Sequence, residues 1–182
     1  MKTSNFVIGS LAIFLTITLF LIALKITTMS HLKTEILLNA SKEQVWNTLT
    51  SLEDYADWNP FIVSSSGEAV VGQRLTNKMM NKGKATIFNP IVTKADSFRE
   101  FEWLGIGLMG MFKGRHYFKL EELPDGQTKL IHGEEFSGLL SGLIMKFIGD
   151  DTLENFQRMN KALKERVEQS SQDNDQSSTN KS

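Results

Sequence analysis

The segment from Phe112 to Gly138 places the strongest constraint on the fold, because its sequence predicts one long β-hairpin. Its midpoint is Pro124-Asp125-Gly126. Proline fixes φ at the start of a turn, aspartate can bond its own backbone, and glycine adopts the left-handed conformation that closes a three-residue loop. We therefore expect Leu123 to lie opposite Gln127 and to set the register of both strands.

Charged side chains on one face of the predicted hairpin support this register. It sets Glu121 opposite Lys129 and Arg115 opposite Glu135, and facing positions of antiparallel strands are stabilised by opposite charges. Because side chains alternate between the two faces of a strand, the charged face should meet solvent and the other face should point into the core.

The inward face of the hairpin is mostly apolar, but it includes three ionisable residues. Its members are Phe118, Leu120, Leu130 and Phe136, together with His116, His132 and Glu134. The register sets His116 opposite Glu134 and Phe118 opposite His132. Buried ionisable groups are costly unless they are paired or hydrogen-bonded. These three residues therefore either satisfy one another in a filled core or line a cavity that receives a polar group.

Composition excludes several classes of function. The 182-residue chain has 20 Lys and Arg against 21 Asp and Glu, so it lacks the basic excess expected for nucleic-acid binding. It has no cysteine, which excludes disulfides, thiolate metal sites and a cysteine nucleophile. Its length is sufficient for one domain and an additional segment.

The N-terminal residues predict a single-pass membrane anchor over residues 3–26. Residues 3–24 carry no charge, and as a helix they are long enough to cross a hydrocarbon layer of about 30 Å. A cleaved signal peptide is the alternative, but the apolar run is long for that and no cleavage site follows it. Lys2 and Lys25 flank the run, so the side of the membrane that holds the domain stays open. Translation from Met29 would omit the anchor.

Residues 33–168 predict one α+β domain. A first strand at 34–40 precedes a helix that Ser41 and Gln44 begin as a capping box. Pro60 ends a short helical segment after it. Further strands are predicted at 62–66, 74–80, 85–97 and 99–103. The glycine-rich segment 105–111 is either a lid over a cavity or a tight strand connection.

Residues 139–168 predict helices. Leu153, Phe156, Met159 and Leu163 recur at helical spacing, and Gly149 predicts a break between a short apolar helix and a long regular one. The polar residues 170–182 predict a disordered tail.

This order of elements, together with four sequence blocks, resembles the START-like SRPBCC superfamily and, within it, polyketide cyclase/dehydrase-type domains. The blocks are EQVWNTLTSLEDYADWNPFI, FKGRHYF, TKLIHGEEFSGLL and FQRMNKALKERVE. The resemblance implies a helix-grip fold, in which a curved antiparallel β-sheet wraps around a long C-terminal helix and leaves an apolar cavity. Members include lipid and hormone binders and aromatic-polyketide cyclases, so the resemblance implies a fold and not one activity.

We expect the implied cavity to bind a small hydrophobic or amphipathic molecule, lipid-like or polyketide-like, beside the membrane. Such sites combine apolar walls with a few polar groups. The predicted ligand-binding residues are Phe101, Trp103, His116, Phe118, His132, Glu134, Phe136, Phe156 and Met159. No cofactor is predicted. No metal is predicted either, because the two histidines lack the short spacing typical of many metal sites.

Two alternatives remain open. In the first, the domain is a cofactor-independent cyclase or dehydratase that uses His116, His132 and Glu134, with Glu134 holding the imidazole of His116 in one tautomer and raising its basicity. In the second, the domain has a filled core and binds a protein partner through its surface. The sequence leaves the ligand, any protein partner and the oligomeric state open.

Overall fold

The computed structural model describes residues 13–19 and 29–179. The helices are α1 (Lys42–Thr50), α2 (Tyr55–Trp58) and α3 (Ser141–Thr179), with short 3-10 turns at Leu52–Asp54 and Leu108–Gly110. The strands are β1 (Ser30–Leu38), β2 (Ile62–Ser66), β3 (Thr76–Asn81), β4 (Lys84–Phe88), β5 (Ile91–Asp96), β6 (Glu100–Gly107), β7 (Phe112–Glu122) and β8 (Thr128–Ser137).

The strands form two antiparallel sheets. The larger sheet has the order β1-β8-β7-β6-β5, and the smaller has the order β2-β3-β4. Helix α3 packs across the inner face of the larger sheet, where Phe156 and Leu163 are fully buried against Phe101 and Leu130. An antiparallel sheet folded against a long C-terminal helix is the predicted α+β helix-grip arrangement.

The register of the hairpin β7–β8 is confirmed. The backbone N–H of Leu123 donates to the carbonyl of Gln127 at 2.8 Å, and His116 lies opposite Glu134. On the outer face Arg115 contacts Glu135 at 2.6 Å. The turn and the charge pairs therefore sufficed to fix this register, and with it the composition of the inner face.

The capping box at the start of α1 is also confirmed. The Ser41 hydroxyl accepts from the Gln44 backbone N–H at 3.2 Å, and the Gln44 side chain accepts from the Ser41 N–H at 2.9 Å. These two bonds satisfy backbone donors that the first helical turn leaves without partners.

Several predicted strand boundaries were wrong. The first strand, predicted over 34–40, is Ser30–Leu38, and the strand predicted over 74–80 is Thr76–Asn81. The strand predicted over 85–97 is divided at Asn89-Pro90 into β4 and β5, which belong to different sheets. Proline lacks a backbone N–H for a ladder hydrogen bond, which explains the interruption. Strand β6 extends to Gly107, so the glycine-rich segment begins as strand and only residues 108–111 form the connection.

Helix α3 is continuous, which differs from the predicted break at Gly149. Glycine inside a helix costs only about 1 kcal/mol relative to alanine, and packing of the turns around it outweighs that cost. The helix also continues over 170–179, where the sequence predicts a disordered tail. That stretch contains neither Gly nor Pro, so nothing in it stops helix propagation. Residues 180–182 lie outside the described residues.

Most of the predicted membrane anchor, residues 3–26, lies outside the described residues. Of that run only residues 13–19 are described; they are helical, with mostly exposed side chains. Seven helical residues extend about 10 Å, against a hydrocarbon layer of about 30 Å. Among the described residues, no helix has the length and apolarity needed to cross a membrane, so the structure does not support the transmembrane part of the predicted fold.

Candidate functional site

A cavity of about 300 Å³ lies between the larger sheet, the smaller sheet and the N-terminal part of α3. Its walls are mostly apolar and aromatic, and its polar lining comes from a few side chains. The lining residues are Phe61, Ile62, Met79, Asn81, Thr86, Phe88, Trp103, Phe112, His116, Glu134, Phe136, Ile148 and Thr152. This combination of apolar walls and few polar groups is typical of a small-molecule site.

Four of the nine predicted ligand-binding residues line this cavity, and five lie behind its wall. Trp103, His116, Glu134 and Phe136 are lining residues. The other five are at most 1% exposed and belong to the closed core or to the network behind the cavity: Phe101, Phe118, His132, Phe156 and Met159. The inner face of the sheet thus divides into a filled region beneath α3 and an open region beside β3 and β4.

The lining residues that sequence reasoning missed come largely from the smaller sheet and from the helix start. Met79 and Asn81 alternate along β3, and Thr86 and Phe88 alternate along β4, so each pair shares one face. That alternation was a usable signal. It was weak because both strands mix polar and apolar residues, and the sequence does not show that the sheet divides at Pro90.

Two histidines and a carboxyl group belong to a hydrogen-bonded chain that leads from the cavity wall into the core. Glu134 Oε2 lies 3.3 Å from His116 Nδ1, and His116 Nε2 lies 2.9 Å from His132 Nε2. His132 Nδ1 lies 2.7 Å from Asn160 Oδ1 on α3. The Asn160 amide nitrogen then donates to Thr34 Oγ1 at 2.8 Å. We call these five residues the buried network.

A backbone carbonyl fixes the direction of donation at one end of the buried network. The Thr34 hydroxyl lies 3.2 Å from the carbonyl oxygen of His132, and a carbonyl can only accept. The hydroxyl therefore donates there, and its oxygen accepts from the Asn160 NH₂ group. The amide oxygen of Asn160 consequently faces His132 Nδ1, which must carry a proton.

The same logic assigns the remaining protons. A neutral imidazole that donates from Nδ1 accepts at Nε2, so His132 accepts from the Nε2–H of His116. His116 is then an acceptor at Nδ1. Its neighbour there, Glu134, must be protonated on Oε2 to supply the hydrogen bond. The buried network is thus a chain of neutral groups in which each donates toward the His132 carbonyl.

Burial favours the neutral form of every ionisable member. Desolvation lowers the pKa of His116 to about 3 and raises the pKa of Glu134 to about 8. It also lowers the pKa of His132 well below its ordinary value, and the neighbouring His116 adds to that effect. Burial therefore acts against the rise in the basicity of His116 that the cyclase-type alternative expects from Glu134, because a neutral carboxyl group offers no charge to stabilise an imidazolium.

Aromatic rings hold both imidazoles in place. His116 stacks on Trp103 with ring centroids 4.6 Å apart and planes 6° from parallel. His132 stacks on Phe156 with centroids 4.1 Å apart. These contacts fix the two ring planes and exclude water, so the hydrogen bonds of the buried network keep one geometry.

The Glu134 carboxyl group occupies space that a glycine leaves free. A Cβ atom on Gly114 of β7 would overlap Glu134 Oε1. Gly105, which is paired with Gly114 on β6, is covered in the same way by the ring of Phe88. The two facing glycines therefore leave a depression in the sheet. The Glu134 carboxyl group fills it over Gly114, and the Phe88 ring fills it over Gly105.

An ion pair joins the smaller sheet to α3 beside the cavity. Lys82, in the turn between β3 and β4, lies 2.8 Å from Asp151 on α3. Asn81 and Thr152, their sequence neighbours, line the cavity. The pair therefore connects the smaller sheet to the helix at the edge of the site.

At this end of the domain, several exposed apolar side chains lie close in sequence to residues that line the cavity. They are Leu108, Met109, Leu139, Leu143 and Phe147, which we call the apolar rim. The two loops that contribute to it are joined by the Leu140 N–H, which donates to the Met111 carbonyl at 2.9 Å. Met109 is 96% exposed and Phe147 is 76% exposed. Leu108 and Met109 both have φ near +50°, a conformation that non-glycine residues seldom adopt.

No cluster of three histidine, aspartate or glutamate side chains suited to a metal ion occurs within the part of the chain that the structure describes. The two histidines instead direct their Nε2 atoms at each other.

The fold and the cavity together define a helix-grip domain of the START-like SRPBCC superfamily. The sequence profile described as "Polyketide cyclase / dehydrase and lipid transport" matches residues 29–168, and the chain belongs to that family. None of the curated proteins matches the chain with a significant score.

Solved structures share the same fold. The Zhui aromatase/cyclase from Streptomyces sp. R1128 superposes with a TM-score of 0.65 at 15% identity, over 78% of this chain and 94% of that one. A hypothetical protein from Helicobacter pylori gives 0.64 at 12% identity, over 76% and 88%. A START superfamily protein from Mycobacterium smegmatis gives 0.59 at 21% identity, over 76% and 97%.

Proposed function

We propose that this domain binds one small hydrophobic or amphipathic molecule in the cavity beside Glu134. The observation that carries the proposal is the cavity itself. Its volume of about 300 Å³ is at the lower end of the range for small-molecule sites, its walls are apolar, and Glu134 and Thr152 supply polar atoms at fixed positions. The family includes lipid transport in its description, which agrees with this role.

We further propose that the ligand exchanges with a membrane to which the chain is anchored by its uncharged N-terminal run. Residues 3–24 have no charge, and the apolar rim exposes five large side chains at the end of the domain where the cavity lies. Contiguous exposed apolar side chains often mark contact with a membrane or a partner.

The buried network supports binding better than catalysis. A general base is effective when its pKa lies near the operating pH, whereas burial lowers the pKa of His116 to about 3. Glu134 carries a proton, but the network directs that proton at His116 and not into the cavity. Among the residues that the structure describes, neither His116 nor the Oε2 proton of Glu134 thus faces a ligand in the geometry that the cyclase-type alternative requires.

The test is extraction of the full-length protein after mild purification from a membrane-containing lysate. Mass spectrometry of the solvent extract should detect a defined lipophilic species near one equivalent per chain. Ile148→Trp should remove most of that species, because Ile148 lines the cavity and the larger ring would fill it. Lys146→Trp is the matched control, since Lys146 is exposed on the same helix and belongs neither to the cavity lining nor to the apolar rim. Equal amounts in all three preparations, or no bound species, would contradict the proposal.

A further inference from the structure

The buried network determines which atom of Glu134 is available to a ligand. The carboxyl proton lies on Oε2 and is donated to His116 Nδ1. The other oxygen, Oε1, is a carbonyl-type oxygen that lies over Gly114, and the Glu134 side chain is 14% exposed, at the cavity wall. Glu134 therefore offers the cavity an acceptor and keeps its donor for the network.

Thr152 offers the cavity an acceptor for a similar reason. Its hydroxyl donates to the carbonyl of Ile148, one helical turn earlier, at 2.8 Å. The hydroxyl hydrogen is thus occupied, and the lone pairs of Oγ1 remain. Two side chains from different elements, β8 and α3, consequently present acceptor oxygens on the cavity lining.

The cavity lining also lacks a cation. Neither lysine nor arginine occurs among the lining residues that the structure describes. Lys82 beside the cavity is paired with Asp151 at 2.8 Å. Asn81 and Thr86 also line the cavity and carry hydrogen-bond donors, but both lie on the smaller sheet. Beside Glu134 and Thr152, a carboxylate or phosphate would have no opposite charge and would meet their two acceptor oxygens.

We infer that the cavity selects ligands whose polar end is an uncharged hydrogen-bond donor, such as an aliphatic alcohol or a phenol, over ethers and carboxylates of the same length. The inference rests on the proposed binding function and names its ligand class. A hydroxyl group satisfies Glu134 Oε1 by donating to it. An ether has no proton to donate, and a carboxylate adds an unpaired charge beside two acceptors.

The test is a displacement series on the full chain in lipid nanodiscs, with the neutral fluorophore N-phenyl-1-naphthylamine as the bound probe and the signal of protein-free nanodiscs subtracted. The competitors are 1-decanol, its methyl ether and decanoate, at pH 7. We expect 1-decanol to displace the probe at a concentration at least tenfold lower than either of the others. The comparison uses the unaltered protein, so it does not depend on the folding of any variant.

Two variants test whether Glu134 causes the preference for the alcohol over the ether. Glu134→Met removes the acceptor, and it should bring the alcohol-to-ether ratio close to one. Glu135→Gln is the control, because Glu135 lies on the outer face of the same strand, where it pairs with Arg115. It should keep the ratio of the unaltered protein.

The outcomes separate the inference from the function on which it rests. Equal displacement by all three competitors, or preference for decanoate, overturns the ligand class while binding itself stands. Failure of the chain to bind the probe or any competitor overturns both.

Discussion

At the scale of single residues, neutrality of the buried network links the candidate site to pH. Burial raises the pKa of Glu134 to about 8, from an ordinary value of 4.5, and lowers that of His116 to about 3, from 6.5. His132 shifts in the same direction as His116. Between pH 4.5 and 6.5 the unfolded chain carries up to two histidine protons that the folded chain lacks, and it lacks the carboxyl proton that the folded chain carries. The unfolded chain therefore binds more protons than the folded chain, and stability rises with pH. Between pH 6.5 and 8 the folded chain holds the Glu134 proton that the unfolded chain has lost, so stability falls as pH rises.

We therefore predict a maximum of stability near pH 6.5 and a loss of up to about 2 kcal/mol between pH 6.5 and 8. Glu134→Gln should abolish this loss. Its amide nitrogen can donate to His116 Nδ1 as the protonated carboxyl does, but it does not titrate. Thermal unfolding followed by circular dichroism from pH 5 to 9 measures both curves. Parallel curves for the two proteins above pH 6.5 would show that Glu134 is already ionised in the folded state.

A second prediction concerns Asn160, which joins α3 to the buried network. Asn160→Leu leaves the Nδ1–H of His132 without its acceptor and Thr34 without its donor. Each buried unsatisfied group costs roughly 1–3 kcal/mol, so we expect a loss of that order in the free energy of unfolding. Urea denaturation measures it. Lys161→Leu, at the exposed neighbouring position, should change stability by less than about 0.5 kcal/mol. Equal effects of the two substitutions would contradict the role assigned to Asn160.

Sequence reasoning found part of this network and missed the rest for a physical reason. The pair of His116 and Glu134 follows from the hairpin register, which a local turn and two charge pairs determine. Asn160 approaches His132 through the packing of a helix on a sheet. The rotation and height of α3 depend on side chains along the whole interface, so the sequence does not show which helical residue faces His132.

At the scale of elements, the facing glycines of β6 and β7 shape the cavity wall. Gly114→Ala would place a methyl group where Glu134 Oε1 now lies, so the carboxyl group must move. Overpacking of this kind costs about 1–3 kcal/mol, and we expect ligand affinity to fall as well. Gly107→Ala on β6 is the control, because the nearest atom to the added methyl group is 3.8 Å away, and its effect should stay within about 1 kcal/mol. Thermal unfolding and probe titration measure both. Similar results for the two alanines would show that Gly114 provides no necessary space.

The elements differ in how far the sequence specifies them. Strand β2 was predicted with the bounds that the structure shows, and the capping box fixed the start of α1. The break between β4 and β5 and the continuity of α3 were not predicted. Local preferences at Pro90 and Gly149 permit more than one outcome, and tertiary packing decides between them.

At the scale of the whole molecule, the apolar rim and the cavity occupy one end of the domain. We predict that Met109→Ser combined with Phe147→Ser slows transfer of bound N-phenyl-1-naphthylamine to phosphatidylcholine vesicles several-fold, since both side chains are exposed and apolar. Stopped-flow fluorescence measures the rate. Leu37→Ser on β1, another exposed apolar position away from the cavity lining, should leave the rate unchanged. Equal rates for all three proteins would contradict a membrane-facing role of the rim.

The ion pair between Lys82 and Asp151 would affect the rate at which the proposed ligand exchanges more than the affinity with which it binds. The Lys82 side chain is 73% exposed, so dissolved salt screens its attraction to Asp151, whereas the buried network is shielded from the solvent. A ligand that left between the β3–β4 turn and α3 would have to part that contact. On that route, higher ionic strength would shorten the residence time of the proposed ligand, while the buried network that sets its selection would be unaffected.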